Sequence, residues 1–374
     1  MENGKNPQPK IQSFNIDYQI SRLDSRENRE ATERSKPWVK WGLANDYPQF
    51  LLQVKEHSPT MSVCVDAKTN MAVGEGVEIE GLGNVLVNRY ETITELYYKL
   101  LYDVWLFGGF AVEIIKSRDG SRIESIYHLP FQNVRVGKRE DDEHDMELDY
   151  YYYSEEWTNP YQRRVITKFH GLDMDKREGR EIYYWKSYTP TTNRHYPLTP
   201  YQSGLDACVL EAECFDFHKK NLAASLMPNL FISLIGDPTP EEKLSTYEEL
   251  VRSYQGKNGQ KVMLAFSNSA EDRPVIEPIS NSGNDTFYTE VLQLCVQSIL
   301  TSFQVSSPLL IGIQGFSQNA FSQNAEEIKI AWKHMMEITI KPMVKKVNMG
   351  LQNILALKYD RPIKIINNYK APEL

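Results

Sequence analysis

Two helical segments held about fifty residues apart constrain this chain more than any other feature. Across residues 205–227, Leu205, Cys208, Ala212, Phe215, Lys219, Leu222 and Leu226 alternate spacings of three and four. That row makes a narrow face suited to packing against another helix. Ser203 and Asp206 offer a start resembling a capping box, and Pro228 stops the segment. Residues 285–303 predict a second helix. Between them, residues 228–279 read as strand, short helix, turn, strand and strand. A subdomain inserted between two helices with seam-like faces leaves those faces unburied unless other elements or other copies of the chain cover them.

What precedes and follows is mixed in character. Residues 1–37 are polar and charged with little periodicity, which predicts an arm that is mobile or ordered only by a neighbour. From 38 to about 202, short strands alternate with helices. "VEIEGL" and "FAVEIIKS" read as strands, and "ITELYYKLLYDVWLFGG" as a helix ending at Gly108 and Gly109. "IESIYHLPFQNVRVGKR" predicts two strands flanking a break at Pro130. Residues 140–156 hold nine carboxylates beside four consecutive tyrosines. Their spacing matches no calcium loop, so a solvated hairpin tip leading into a strand is the better reading. The fold class is α+β.

Residues 291–325 contain no Asp, Glu, Lys, Arg or His. The run is long enough to cross a bilayer, but its many Gln, Ser and Thr residues rule out a lipid-facing helix. Within it, Pro308, Gly312 and Gly315 break the chain, and residues 316–325 read "FSQNAFSQNA", five residues written twice. Asn324 and Glu327 would cap a third helix over 325–357, long enough that Pro342 should bend it.

Enzymatic signatures are missing. "SYQGKNGQK" lacks phosphate-loop spacing, and no GxSxG, HExxH or DxDxDG pattern occurs. The seven histidines have no sequence neighbour that would orient them. Cys64, Cys208, Cys214 and Cys295 form no CxxC pair, and Cys208 and Cys214 should lie on different helix faces. These patterns point to no metal, no cofactor, no disulfide framework and a reducing compartment. A net charge of −8 argues against a surface that grips nucleic acid everywhere. The N-terminal residues show no apolar core of a signal peptide, and no anchor is expected.

The serial order resembles the portal proteins of tailed bacteriophages. The likeness is carried by "LLYDVWLFGGFAVEII", "IYHLPFQNVRV", "YPLTPYQSGLDACVLEAECFDFHKKNLAASLMPNLFISL", "RSYQGKNGQKVMLAF" and "NDTFYTEVLQLCVQSILTSFQVSSPLLIG". It spans roughly residues 38–357. The resemblance implies a structural protein without enzymatic activity: a twelve-subunit ring at one capsid vertex, assembled in the host bacterial cytoplasm and retained in the virion. Double-stranded DNA would pass through it without sequence specificity. The partners implied are the terminase motor, head-completion or adaptor proteins and the major capsid protein, with no membrane.

By position, the resemblance implies an N-terminal arm (1–37), a wing (38–202), stem helices (203–227 and 282–305) and a clip (228–281). A tunnel loop (306–324), a bent wing helix (325–357) and a tail or minimal crown (358–374) follow. The loop residues facing DNA would be Gln314, Phe316, Ser317, Gln318, Asn319, Phe321, Ser322, Gln323 and Asn324, hinged at Pro308, Gly312 and Gly315. The clip surface for motor or adaptor would present Glu241, Glu242, Lys243, Tyr247, Glu248 and Arg252. Two other readings are another structural component of the head-to-tail junction, which should lack the clip, and an enzyme with dispersed catalytic residues.

Overall fold

The computed structural model describes residues 30–33, 35–138, 150–157, 166–173, 180–190, 194–224, 230–235, 239, 245, 262–267, 284–313 and 325–371, with backbone alone for 220–224, 230–235, 262–267 and 284–287. The order of elements is β1 (Glu30–Thr32), β2 (Val39–Trp41), α1 (Tyr47–His57), α2 (Pro59–Val73), β3 (Val77–Ile79), α3 (Ile93–Phe107), β4 (Gly109–Lys116), β5 (Ile123–Leu129) and β6 (Val134–Val136). Then come β7 (Tyr150–Tyr153), β8 (Thr167–Gly171), β9 (Glu181–Lys186), α4 (Leu205–Ala224), β10 (Leu230–Ile235) and β11 (Val262–Ser267). The chain continues through α5 (Asn284–Ser302), α6 (Ala325–Met335), α7 (Lys341–Tyr359) and β12 (Ile365–Asn367).

Helix α3 shows why local signals are readable. Thr92 accepts from Glu95 N while the Glu95 carboxylate accepts from Thr92 N, a complete capping box. Gly108 closes the other end at φ 91°, and a Cβ there would lie 2.4 Å from the Leu198 carbonyl oxygen. The chain turns straight into β4, the second strand of a six-stranded sheet in the order β5-β4-β9-β8-β7-β6. Pairing is antiparallel throughout except between β8 and β9. Pro130 ends β5, residues Phe131–Asn133 form one 3₁₀ turn, and β6 begins at Val134, so the break falls where the sequence places it. Strand β7 is the tyrosine run, paired with β6 as Val134↔Tyr153 through Val136↔Tyr151. The acidic residues 140–149 lie outside the described residues.

Buried Arg135 ties this sheet to the loop before α1. Its guanidinium donates to Asn45 Oδ1 at 2.6 Å, Asn45 O at 2.9 Å, Gln132 O at 2.8 Å and Val134 O at 2.9 Å. It also lies 4.9 Å from the Trp157 ring. These acceptors are all neutral, and burial lowers the Arg135 pKa to about 10. Trp41 stacks on Tyr196 at 4.6 Å beside it.

Segments near both ends of the chain are more integrated than the sequence predicts. Glu30 accepts from the backbone N–H groups of His195 and Tyr196 at 2.6 and 2.9 Å and contacts His195 Nδ1 at 2.9 Å. Burial opposes its ionisation, but the His195 hydrogen bond and these two N–H donors outweigh it and hold the carboxyl below its usual range. Strand β1 pairs with β2, so ordered pairing is already present at Glu30, ahead of the expected boundary at 38. Toward the other end β12 pairs antiparallel with β3, Ile365↔Ile79 to Asn367↔Val77, and Glu75 N donates to Asn368 O at 2.7 Å. Residues 365–368 are therefore joined to β3 and to the turn that follows α2. One continuous buried cluster runs from Val39 through α1–α3 and the sheet to α4, α5, α7 and Ile365.

Candidate functional site

Helices α4 and α5 pack against each other and against α1 and α2. Entry to α4 runs through a 3₁₀ turn, Gln202–Gly204, so Ser203 sits inside a helical turn and does not serve as an extended N-cap. Gly204 is required there: a Cβ would lie 2.1 Å from Ser302 Oγ on α5. The expected packing row holds for Leu205, Cys208 and Ala212, all buried, and then departs. Phe215 is 47% exposed and Lys219 is exposed, while Glu211 and Cys214 are buried instead. The buried face drifts because it follows α2 as well as α5.

Glu211 explains the drift. Its carboxylate, 2% exposed, accepts from the Ser58 hydroxyl, from Thr60 Oγ1 at 2.6 Å and from Thr60 N at 3.3 Å. Ser58 is itself the N-cap of α2, accepting from Met61 N. A carboxylate on α4 thus completes the positive end of α2. Further along α2, Lys68 is 3% exposed and donates from Nζ to Phe303 O at 2.9 Å, just past the end of α5. Its ammonium lies 4.2 Å from the Trp105 ring. Burial depresses its pKa to about 7, only partly offset by Cys64. Helix α2 therefore fastens the base of α4 through Glu211 and the end of α5 through Lys68.

The four cysteines, Cys64 on α2, Cys208 and Cys214 on α4 and Cys295 on α5, lie on the three helices of this junction. All are buried and unpaired. Burial is the main cause that raises each thiol pKa, and the Glu211 carboxylate adds to the rise in every case. Cys64 is pushed to about 12 and Cys295 to about 11, so these thiols stay protonated and serve packing. Cys208 and Cys214 were expected on different faces of α4, and both faces are covered. Among the described residues no group of three His, Cys, Asp or Glu is placed to hold a metal ion. No helix among them is long and apolar enough to cross a membrane.

Two histidines have carboxylate partners that sequence proximity could not reveal. His128 Nε2 lies 2.7 Å from buried Asp103 Oδ2, and His195 pairs with Glu30. Burial raises the Asp103 pKa while His128 and the Phe131 N–H oppose the shift. His334 Nδ1 lies 2.8 Å from Ser306 Oγ.

The exposed row of α5 is Glu290, Leu294, Gln297 and Thr301, uncharged after its first member. With Pro200, Ser203, Ser298, Ser302 and Gln304, its last three members wall a hollow of ≈ 570 Å³. Beyond α5, Gln304 takes φ 55° and Thr339 Oγ1 donates to its Oε1 at 3.4 Å. Pro308 opens a 3₁₀ turn, Pro308–Ile311, closed by Gly312 at φ 74°. A Cβ added at Gly312 would meet no described atom within 4 Å, so its backbone conformation alone accounts for the glycine. Gln314, Gly315, Phe316, Ser317, Gln318, Asn319, Phe321, Ser322, Gln323 and Asn324 lie outside the described residues. Of residues 228–281 the structure describes chiefly β10 and β11, a parallel pair in register Leu230↔Val262 to Ile235↔Ser267. Parallel strands need a crossover connection. Glu241, Glu242, Lys243, Tyr247, Glu248 and Arg252, expected on that connection, lie outside the described residues.

Pro342 falls in the first turn of α7, immediately after a π turn, Met336–Ile340. Lacking an N–H, it cannot continue the regular ladder, and Lys341 N instead reaches Met336 O, five residues back. Helical backbone runs unbroken from Ala325 to Tyr359 through this turn, ending with Asp360 in the left-handed region.

The strongest side-chain arrangements of the chain fasten its helices to one another and its sheet to the loop before α1, and an uncharged helix flank leads toward the charge-free run. The chain belongs to the phage portal protein family: that family's model matches residues 79–368, well over half its length. Members are structural, non-enzymatic components of the virion at the head-to-tail connection. Among solved structures, the virion of a native gene transfer agent particle contains a chain 19% identical, with TM-score 0.57, covering 86% of this chain and 83% of that one. The neck of a native gene transfer agent particle, computed with C12 symmetry, matches at 18% identity and TM-score 0.58, over 91% and 86%. An HK97-family phage portal protein from Corynebacterium diphtheriae aligns at 12% identity and TM-score 0.44, over 85% and 94%. No curated protein sequence matches the chain.

Proposed function

We propose that twelve copies of this chain form a ring at one capsid vertex, the conduit through which double-stranded DNA is packaged and ejected. In this reading the six-stranded sheet with α1–α3 is the wing, α4 and α5 are the stem, and β10 and β11 belong to the clip. Residues 306–324 are the tunnel loop, and α6 with α7 is the bent wing helix. The twelvefold symmetry applied to the related neck supports the ring number.

The observation that carries the reading is the uncharged flank of α5, Leu294, Gln297 and Thr301, continuing through Gln304 and Ser306 into a loop without one ionisable side chain. Duplex DNA carries one negative charge per about 1.7 Å, and a protein that neutralises phosphates binds in a salt-dependent manner. A conduit must avoid being such a clamp. Amides and hydroxyls of Gln318, Asn319, Ser322 and Gln323 would exchange hydrogen bonds with passing phosphates without fixing them. The clip, with eight acidic and five basic residues over 228–279, would offer a charged docking surface to the terminase motor and later to head-completion proteins.

Gln318→Lys with Gln323→Lys tests the conduit. In a twelve-subunit ring the change adds about two dozen positive charges, enough to convert sliding contact into salt-sensitive binding. The variant should assemble normally and package DNA slowly, with partial recovery at higher salt. Packaging at the unmodified rate in low salt, by rings confirmed intact, would mean that the loop does not face DNA.

A further inference from the structure

Strand β12 is paired on one side only. Its bonds to β3 fall at Lys364 with Glu80 and at Asn368 with Gly76, so the N–H and C=O of Ile363, Ile365 and Asn367 point away from β3. None of these backbone groups bonds to another described residue. The outer side of β3 is closed instead: Thr94 Oγ1 bonds both Val77 N and Val77 O, and Ile79 N donates to Gly83 O. Ile365 is buried, and unpaired backbone in a buried residue is a cost that one more strand removes. Beneath the open side, Asn348 of α7 donates to Asn367 Oδ1 at 3.0 Å. Farther out on that helix come exposed Lys345, half-buried Gln352 and Met349, which is 60% exposed. An unpaired edge beside a part-apolar shelf is a template for strand addition.

One stretch of this chain carries the matching pattern. Within the polar arm, Phe14, Ile16, Tyr18 and Ile20 alternate with Asn15, Asp17 and Gln19. That is the period of a strand with one apolar face. Residues 14–20 lie outside the described residues.

We propose that residues 14–20 of one copy add as a strand to the open side of β12 in the adjacent copy, turning their apolar face toward α7 and leaving Asn15, Asp17 and Gln19 in water. The inference rests on the ring reading above for its adjacent copy. The place where the arm leaves the body selects that copy over the arm's own. Strands β1 and β2 sit at the β6 edge of the six-stranded sheet, through the Trp38↔Gly137 bridge and the bond from Lys138 N to Pro37 O. Strands β3 and β12 sit beyond the opposite edge, where Ile126 N of β5 donates to Val87 O. Six strands separate those edges by about 24 Å. The ten steps from Ile20 to Glu30 reach about 33 Å only when fully extended, which leaves little slack for a path round the arm's own body. A neighbour standing side by side brings its β12 flank to the β1 flank instead. The two flanks differ, so the contact is heterologous and repeats head to tail, the geometry that closes into a ring.

Hydrogen exchange on the assembled full-length protein tests the pairing. The amides of Ile363, Ile365 and Asn367 should exchange at least about tenfold more slowly in wild type than in a chain carrying Ile16→Asn with Tyr18→Asn. Ile16→Val with Tyr18→Phe keeps the apolar face and should keep the slow exchange. Unchanged exchange across α3 checks that the substitutions leave the fold intact. As a second measurement, tagged chains with Tyr18→Cys are co-assembled with untagged chains carrying Met349→Cys and treated with a bismaleimide, the native cysteines being buried. Cross-links joining tagged to untagged chains are expected. Wild-type protein that sediments as single chains would sink the ring reading and this pairing with it. Intact rings with the same exchange in all three proteins would show that the edge of β12 stays open. Slow exchange without a cross-link between chains would put the arm on its own copy. Either of these last two results overturns the pairing and leaves the ring standing.

Discussion

Replacing Lys68 with Met should stabilise the protein at mildly acidic pH and do so less as pH rises. Lys68 is 3% exposed, and its pKa falls from 10.5 to about 7 through burial. That depression corresponds to roughly 4–5 kcal/mol in favour of the neutral amine. Between these two values the unfolded chain holds a proton that the folded chain does not, so this residue makes stability rise with pH. The cost is fully in place below about pH 7 and disappears only above the unfolded value. Met keeps most of the side chain's length and its packing against Trp105, but it removes the donor to Phe303 O. That loss should cost about 1–3 kcal/mol, because the carbonyl stays buried. At pH 6.5 the variant should therefore come out ahead by roughly 2 kcal/mol, and its advantage should shrink by roughly 2–3 kcal/mol at pH 9. The assay is the apparent melting midpoint of both proteins at the two pH values, where each kcal/mol shifts a chain of this size by roughly 1–2 °C. A gap between variant and wild type that stays constant from pH 6.5 to 9 would show that Lys68 titrates normally, and the argument from its burial would fail.

Two further substitutions probe the same framework. Glu211→Gln retains one oxygen acceptor but must place an amide donor against the Ser58 hydroxyl and Thr60 groups, so urea unfolding should show a loss of about 1–3 kcal/mol, with hydrogen exchange rising first at the start of α2. Unchanged protection at Thr60 and Met61 would contradict its capping role. Arg135→Met removes the guanidinium from the Val134, Gln132 and Asn45 carbonyls, while Asn45 Oδ1 keeps Trp41 N and Gln132 O keeps Gln49 Nε2, and should lower stability by about 3 kcal/mol, read as loss of soluble folded protein. A variant with wild-type yield and melting would mean that water replaces the guanidinium.

Elements governed by neighbours in sequence are legible without the structure. Thr92 and Glu95 announce the start of α3 and Gly108 its end, while Pro130 marks the junction of β5 and β6, because each acts within a few residues. Pairings made at long range are not. Nothing near Ile365 signals its partner Ile79, and the parallel contact of β8 with β9 depends on the whole sheet. The packing row of α4 holds to Ala212 and is lost at Phe215, because a sequence period sees one partner helix and α4 has several. Lys68 and Glu211 escape a sequence reading for a related reason. A lysine or glutamate among apolar residues reads as a solvent-facing interruption, and only the assembled fold shows Phe303 O and the Thr60 amide waiting for them. Residues 316–324 remain a sequence feature, since the argument for their contact with DNA comes from the charge-free run itself.

The π turn before Pro342 also works as a phase corrector. Inward residues Ile328, Ala331 and Met335 precede it, and Val344, Val347, Leu351 and Ile354 follow. At about 3.6 residues per turn the first set, extended without interruption, would arrive roughly one residue out of step with the second. The wide turn absorbs that residue, so two stripes with mismatched counting point to the same side. A strip of sequence that looks like one long helix is thus two rulers joined end to end with their zero marks offset. Any single-residue insertion or deletion between Ile328 and Val344 resets that offset by about 100°, turning one half of the helix's inward residues toward water while leaving the other half where it was.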